Sequence, residues 1–276
     1  MARRLQELGD DGIAFELINE PRLKCKGPEQ DLWQRMMAHL IARARAGSRD
    51  LPLVVTGACI STPEGLMALD PAALGDGNLI YTFHYYEPFT FTHQGAQFIP
   101  WPDKYLDEVP WPAGARPIAE PLEQLKKRMQ TVPGRDEAAR NQALMGAQVN
   151  LQRFYASGAG PALIEKRFAA VRGWADRHRI PPQRIFIGEF GVWRQHAKLP
   201  GARCEDRVRW LADTRAAAEK YGFTWAYFNY DGPFGIVSDD GVRALDPAVL
   251  ASLGLGQGGQ CASTEAPGRP VGTCRC

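Results

Sequence analysis

The sequence predicts an α/β fold in which parallel strands alternate with helices. Three observations predict it. Short runs rich in β-branched and aromatic residues recur along the chain, apolar on both faces, as a parallel sheet covered by helices requires. Between them lie stretches with apolar residues three and four positions apart, the spacing of a helical stripe. Two of the strands end in a glutamate, Glu20 and Glu189, where the backbone leaves the core.

The elements follow in order. Residues 13–19 form the first strand and run into Asn19-Glu20-Pro21. Trp33, Met36, Met37, Leu40, Ile41 and Ala44 mark the first helical stripe. Strands at 51–58 and 78–86 come next. Residues 88–160 interrupt the rhythm as an insertion. Its first part is aromatic and proline-rich (Phe98, Trp101, Tyr105, Trp111), and its second part is helical over about 120–155. Ile164, Phe168, Val171, Trp174, Ala175 and His178 give a helix at 160–178 that stops before Pro181-Pro182. A strand at 184–191 carries Glu189. A further stripe (Val208, Leu211, Ala212, Ala218) precedes the last strand at 223–230. Strand–helix–strand repetition argues for right-handed crossovers. The reading is one domain over 1–253, then a disordered Gly/Pro/Ser-rich tail over 254–276.

Bulk properties exclude several classes. The 33 basic and 31 acidic residues leave a net charge of +2, too balanced for a nucleic-acid or anionic-membrane partner. No apolar run approaches the ~20 residues of a membrane span. The first residues, MARRLQELGDDG, contain no apolar segment of a signal peptide. The six cysteines show no zinc spacing. Cys25 and Cys59 each follow a strand end in neighbouring loops. They form a disulfide if the protein is exported and stay free thiols otherwise.

Four features taken together carry a resemblance: Asn19-Glu20-Pro21 at one strand end, His84-Tyr85-Tyr86 at another, Glu189 in IGEFG, and WAYFNYDGPFGI at the last strand. With this ordered set the chain resembles glycoside hydrolase family 5 of clan A, which includes cellulases and mannanases, over about Leu5 to Leu250. The resemblance implies a (β/α)8 TIM-barrel fold of which about the last five βα units are present. It implies a retaining glycosidase that cleaves β-linked polysaccharide, β-1,4-glucan first and mannan second, by double displacement. Glu20 would match the acid/base and Glu189 the nucleophile. Asn19 would match the residue that binds the sugar 2-hydroxyl. His84 and Tyr86 would match the pair lining the cleaved subsite, with Trp225 and Phe228 as aromatic faces for a sugar ring. Phe228 stands where the family usually has Trp, so no indole N–H donor is supplied there. No metal or organic cofactor is implied. A retaining glycosidase needs its two carboxyls ~5 Å apart, one protonated and one ionised.

Only 12 residues precede Ile13, whereas one βα step takes on the order of 30 residues. The expectation is therefore a chain lacking the first three βα units, with two open sheet edges and a tendency to self-associate through them. By the same resemblance, residence is secreted or periplasmic, with the export signal upstream. The alternative function is an inactive barrel remnant that binds carbohydrate weakly. An aldolase is disfavoured by the lack of a strand-end lysine, and a metallohydrolase by the lack of clustered His or Asp. Trp101 and Trp111 either line outer sugar subsites or pin the insertion. Asp231 and Asp239 read as loop carboxylates, and His39, His93, His178 and His196 as structural or surface groups.

Overall fold

Five strands form one sheet, and every neighbouring pair is parallel. They are β1 (Phe15–Glu16), β2 (Leu53–Thr56), β3 (Leu79–Tyr85), β4 (Ile185–Phe190) and β5 (Thr224–Trp225), and their spatial order is their order in the chain. The structure is a computed structural model that describes residues 1–8, 12–99, 102–132, 134, 136–195, 199–237 and 243–256. Trp101, His196, Asp239 and the tail beyond residue 256 lie outside the described residues.

All five strands fall within the expected runs, and the outer two are shorter than expected. At β1 the ladder ends after Leu17, whose N–H still donates to Val54 O. At β5 it ends after Ala226, whose N–H donates to Ile187 O. The expected strand at 223–230 therefore stops early. Its partly buried second half finds other partners: the Tyr227 hydroxyl meets Arg207 Nη2 at 2.7 Å, and Phe228 packs edge-on against Phe234. The helix expected over about 120–155 is two helices, Ala119–Thr131 and Glu137–Ala156, the second capped by Asp136. Gly254 and Leu255, assigned to the tail, are hydrogen-bonded to the end of the helix Pro247–Ser252. Among the described residues no helix is long and apolar enough to cross a membrane.

The chain divides into two compact units. The first comprises residues 1–85, 166–190 and 218–226 and contains the whole sheet. Its odd-numbered β3 residues face the helix layer: Tyr81 meets Trp174 edge-on, and Phe83 and Tyr85 both meet Phe168. Fully burying such a side chain contributes roughly 1.5–3 kcal/mol. On the β2 side, the helix Pro28–Arg45 buries Trp33, Met37 and Ile41, and the Trp33 indole N–H donates to Thr56 O at 3.0 Å.

The second unit comprises residues 86–165, 191–217 and 227–276. An ionic network organises it. Asp206, fully buried, accepts from Arg116, Arg209 and the Trp111 backbone N–H. Arg207, also buried, donates to the Phe234 and Gly235 carbonyls. Buried charges persist when such partners satisfy them, and removing one partner strands the other.

Candidate active site

Glu20 lies four residues past the end of β1, in a left-handed conformation with φ 43°. Such backbone is uncommon for a residue bearing a Cβ, and where it persists the surrounding structure holds it. His84 and Glu189 lie at the C-terminal ends of β3 and β4, the end that carries chemistry in α/β barrels.

A bulge brings the latter two side by side. Phe83 pairs with Ile187, but the next pair is His84 with Glu189, so Gly188 is the extra residue on β4. Strict alternation would aim Glu189 to the same face as Ile187, into the buried helix layer. The extra residue turns it to the face of His84. Only a glycine fits the bulge without rearrangement: a Cβ there would sit 2.7 Å from Thr82 Oγ1 and 3.4 Å from the His84 ring.

The structure brings Glu20, His84 and Glu189 together. His84 Nδ1 lies 2.9 Å from Glu20 Oε1 and 3.5 Å from Glu189 Oε2. One oxygen of each carboxylate and a His84 ring nitrogen all lie within 4.8 Å of one another. The His84 side chain is 3% exposed, against 35% for Glu20 and 22% for Glu189. The ring is therefore a buried platform beneath two carboxylates that solvent, and so a ligand, can reach. Nδ1 is within hydrogen-bonding distance of the Glu20 carboxylate. Glu20, His84 and Glu189 each offer one atom that could hold a cation, a grouping through two glutamates that a search for clustered His or Asp does not find. They cluster through the fold and not through the sequence.

The other expected site residues fall in several places. Asn19 stands exposed beside Glu20. Trp225, partly buried on β5, meets Phe190 edge-on. Tyr86 and Phe228 belong to the second unit, where both pack against the cluster of Ala96, Ile99, Trp193 and Phe234. Trp111 is fully buried and its indole N–H donates to Asp213 Oδ2 at 2.7 Å, so it pins the insertion and cannot line a sugar subsite. Asp231 is a loop carboxylate paired with Arg243. His39 and His178 are exposed, while His93 is buried in an aromatic box.

Two residues of the site escaped sequence reasoning. Gly188 could have been noticed, since a glycine inside an apolar strand often marks a bulge. Glu16 could not. Loss of hydration raises its carboxyl above the ordinary value, the His84 ring pulls it down, and the Glu189 charge adds to the rise. Glu16 thus shares the electrostatic field of the pair. Cys25 and Cys59, left open between disulfide and thiols, are disulfide-bonded with Cα atoms 5.4 Å apart.

Comparison with known proteins places this chain in a family. The family model described as cellulase (glycosyl hydrolase family 5) matches residues 1–232. Endoglucanase 3 of Fibrobacter succinogenes is 25% identical over 251 residues, which are 90% of this chain and 34% of that protein. Endoglucanase C of Acetivibrio thermocellus is 25% identical over 218 residues, 79% of this chain and 53% of that protein. The chain thus spans about a third to a half of these curated relatives. Among solved structures, the cellulose synthase subunit Z of Clostridioides difficile superposes with a TM-score of 0.62 at 22% identity, covering 91% of this chain and 65% of that one. The five-stranded parallel sheet is thus the α/β fold of TIM-barrel relatives. With the family model matched over most of its length, the chain belongs to glycosyl hydrolase family 5, the cellulase family.

Proposed function

We propose that this chain hydrolyses β-linked polysaccharide, β-1,4-glucan first, by a retaining double displacement. The observation that carries the reading is the approach of the Glu20 and Glu189 carboxylates within 4.8 Å around one buried histidine. Retaining glycosidases hold their carboxyls ~5–5.5 Å apart, whereas inverting enzymes leave ~6.5–9.5 Å for a water. The family membership and the endoglucanase relatives support the substrate class.

The steps follow from position. Glu189, at the C-terminal end of β4, attacks the anomeric carbon as a carboxylate. The bond from that carbon to the glycosidic oxygen breaks, and Glu20 gives its proton to the departing oxygen. A glycosyl ester on Glu189 results. Glu20, now a carboxylate, takes a proton from water as that water attacks the same carbon and releases Glu189. His84 Nδ1, 2.9 Å from Glu20 and 3.5 Å from Glu189, lies between the two carboxylates and holds their spacing. Asn19, beside Glu20, binds the sugar 2-hydroxyl. Trp225, in the unit that carries both carboxylates, supplies a face for a pyranose ring, and mannan is the second substrate.

The test is reducing-end release from carboxymethylcellulose and mannan by the purified chain, with the anomeric configuration of the first product read by NMR. The expected result is release with retention, and loss of at least ~10³-fold on Glu189→Gln. Inversion, or activity that survives Glu189→Gln, overturns the assignment. Glucan binding without any release would leave only a carbohydrate-binding role.

A further inference from the structure

We propose that the Cys25–Cys59 disulfide, together with the left-handed turn at Cys59–Ser61, is the clamp that positions Glu20. The inference rests on the reading of Glu20 as acid/base, and it assigns a positioning role to groups that do not touch the substrate.

Glu20 sits in a backbone region that residues with a Cβ avoid, so something must hold it there. Upstream, the chain is tied to β2 through the Leu17 N–H to Val54 O bond. Downstream, three ties run to one short segment. Ile60 N–H donates to Pro21 O at 2.9 Å, Cys59 N–H donates to Leu23 O at 2.8 Å, and Cys25 is covalently joined to Cys59. The residue directly after Glu20 is therefore bonded to that segment, and so are the third and fifth.

The segment that receives these ties is itself unusual. Cys59, Ile60 and Ser61 all have φ near 55°. Three consecutive left-handed residues are not expected of non-glycine chain, and a β-branched residue such as Ile60 is the least suited. Ile60 is 49% exposed, so burial of its side chain does not explain the conformation. What the turn accomplishes is to aim two consecutive backbone N–H groups at the loop behind Glu20. Its other flank is anchored: Gly57 and Gly65 approach so closely that a Cβ on Gly57 would lie 1.9 Å from the Gly65 backbone. Disfavoured backbone on two facing loops, cross-linked beside a reactive carboxylate, is the pattern of a site whose geometry is imposed.

The clamp predicts a defect confined to acid catalysis. A substrate whose leaving group needs no protonation should be indifferent to the orientation of Glu20, whereas an unactivated glycoside should not. The experiment compares the oxidised chain, the double variant Cys25→Ser with Cys59→Ser, and Glu20→Ala. Each is assayed for kcat/KM on 2,4-dinitrophenyl β-cellobioside and on a cello-oligosaccharide. The expected result is that the double variant keeps the dinitrophenyl value within about twofold and loses about tenfold on the oligosaccharide, as a displaced catalytic group should. Glu20→Ala should show the same pattern more strongly. If Glu20→Ala shows no dependence on the leaving group, the acid/base reading fails. If it does while the double variant loses both activities equally or neither, the clamp alone is overturned. In a chain without measurable turnover, the ¹⁵N resonance of His84 Nδ1, the neighbour of Glu20, serves instead. It should move between the oxidised chain and the double variant, and an unchanged resonance overturns the clamp.

Discussion

His84 and Glu189 are register partners on adjacent strands, one step past a bulge that gives β4 an extra residue. The pairing decides which face Glu189 joins. Without Gly188 as the extra residue, Glu189 would follow Ile187 into the buried helix layer, where an unpaired carboxylate is costly.

Gly188→Ala tests this relationship directly. The added methyl would meet Thr82 Oγ1 and the His84 ring, both buried. The expected outcome is a loss of about 1–3 kcal/mol, as for other overpacked sites. The urea midpoint at unchanged slope measures it, and activity on glucan should fall further than stability alone explains.

His84→Ala removes the ring nitrogen that lies between the two carboxylates. Turnover should fall by about 10²-fold, the lower range for a positioned proton-handling group. KM should change little, because the ring lies beneath the carboxylates and not on the exposed surface. A variant that keeps its full kcat would remove His84 from the mechanism.

Stability should be lost in mild acid through His93. Burial among Tyr86, Phe89 and Phe234 lowers its pKa to about 3. The unfolded chain, with an ordinary imidazole near 6.5, binds the extra proton between those values. Its contribution is therefore fully present above pH ~6.5 and declines as pH falls toward 3, by at most ~1.4 kcal/mol per pH unit. In denaturant titrations from pH 7.5 to 4 the native chain should lose stability relative to His93→Phe as pH falls, since the variant lacks this loss. Parallel curves would rule it out.

Trp111 separates pinning from sugar binding. Trp111→Phe leaves Asp213 without its indole donor and should cost about 1–3 kcal/mol. Trp111→Ala should cost about 3–5 kcal/mol by opening a cavity. In neither folded variant should KM for glucan change, and a raised KM in Trp111→Phe would return the residue to the substrate.

Much of this protein is legible along the chain because the signals are local. β-branched runs, helical stripes and the Pro181-Pro182 stop report the elements they belong to, and the strand ends at Glu20 and Glu189 follow from where apolar runs give out. The ordered motifs were enough to indicate the family. What the chain could not reveal depends on neighbours distant in sequence. Strand register is one case: alternation read from Ile187 points Glu189 the wrong way, and only pairing with β3 exposes the bulge. The disulfide is another, because spacing leaves Cys25 and Cys59 open between bonded and free until the two loops are seen to face each other. The aromatic run after Trp225 reads as strand by composition, yet the ladder stops at Ala226 and Phe228 packs instead against Phe234. Periodicity records whether a residue is buried. The fold alone decides against what.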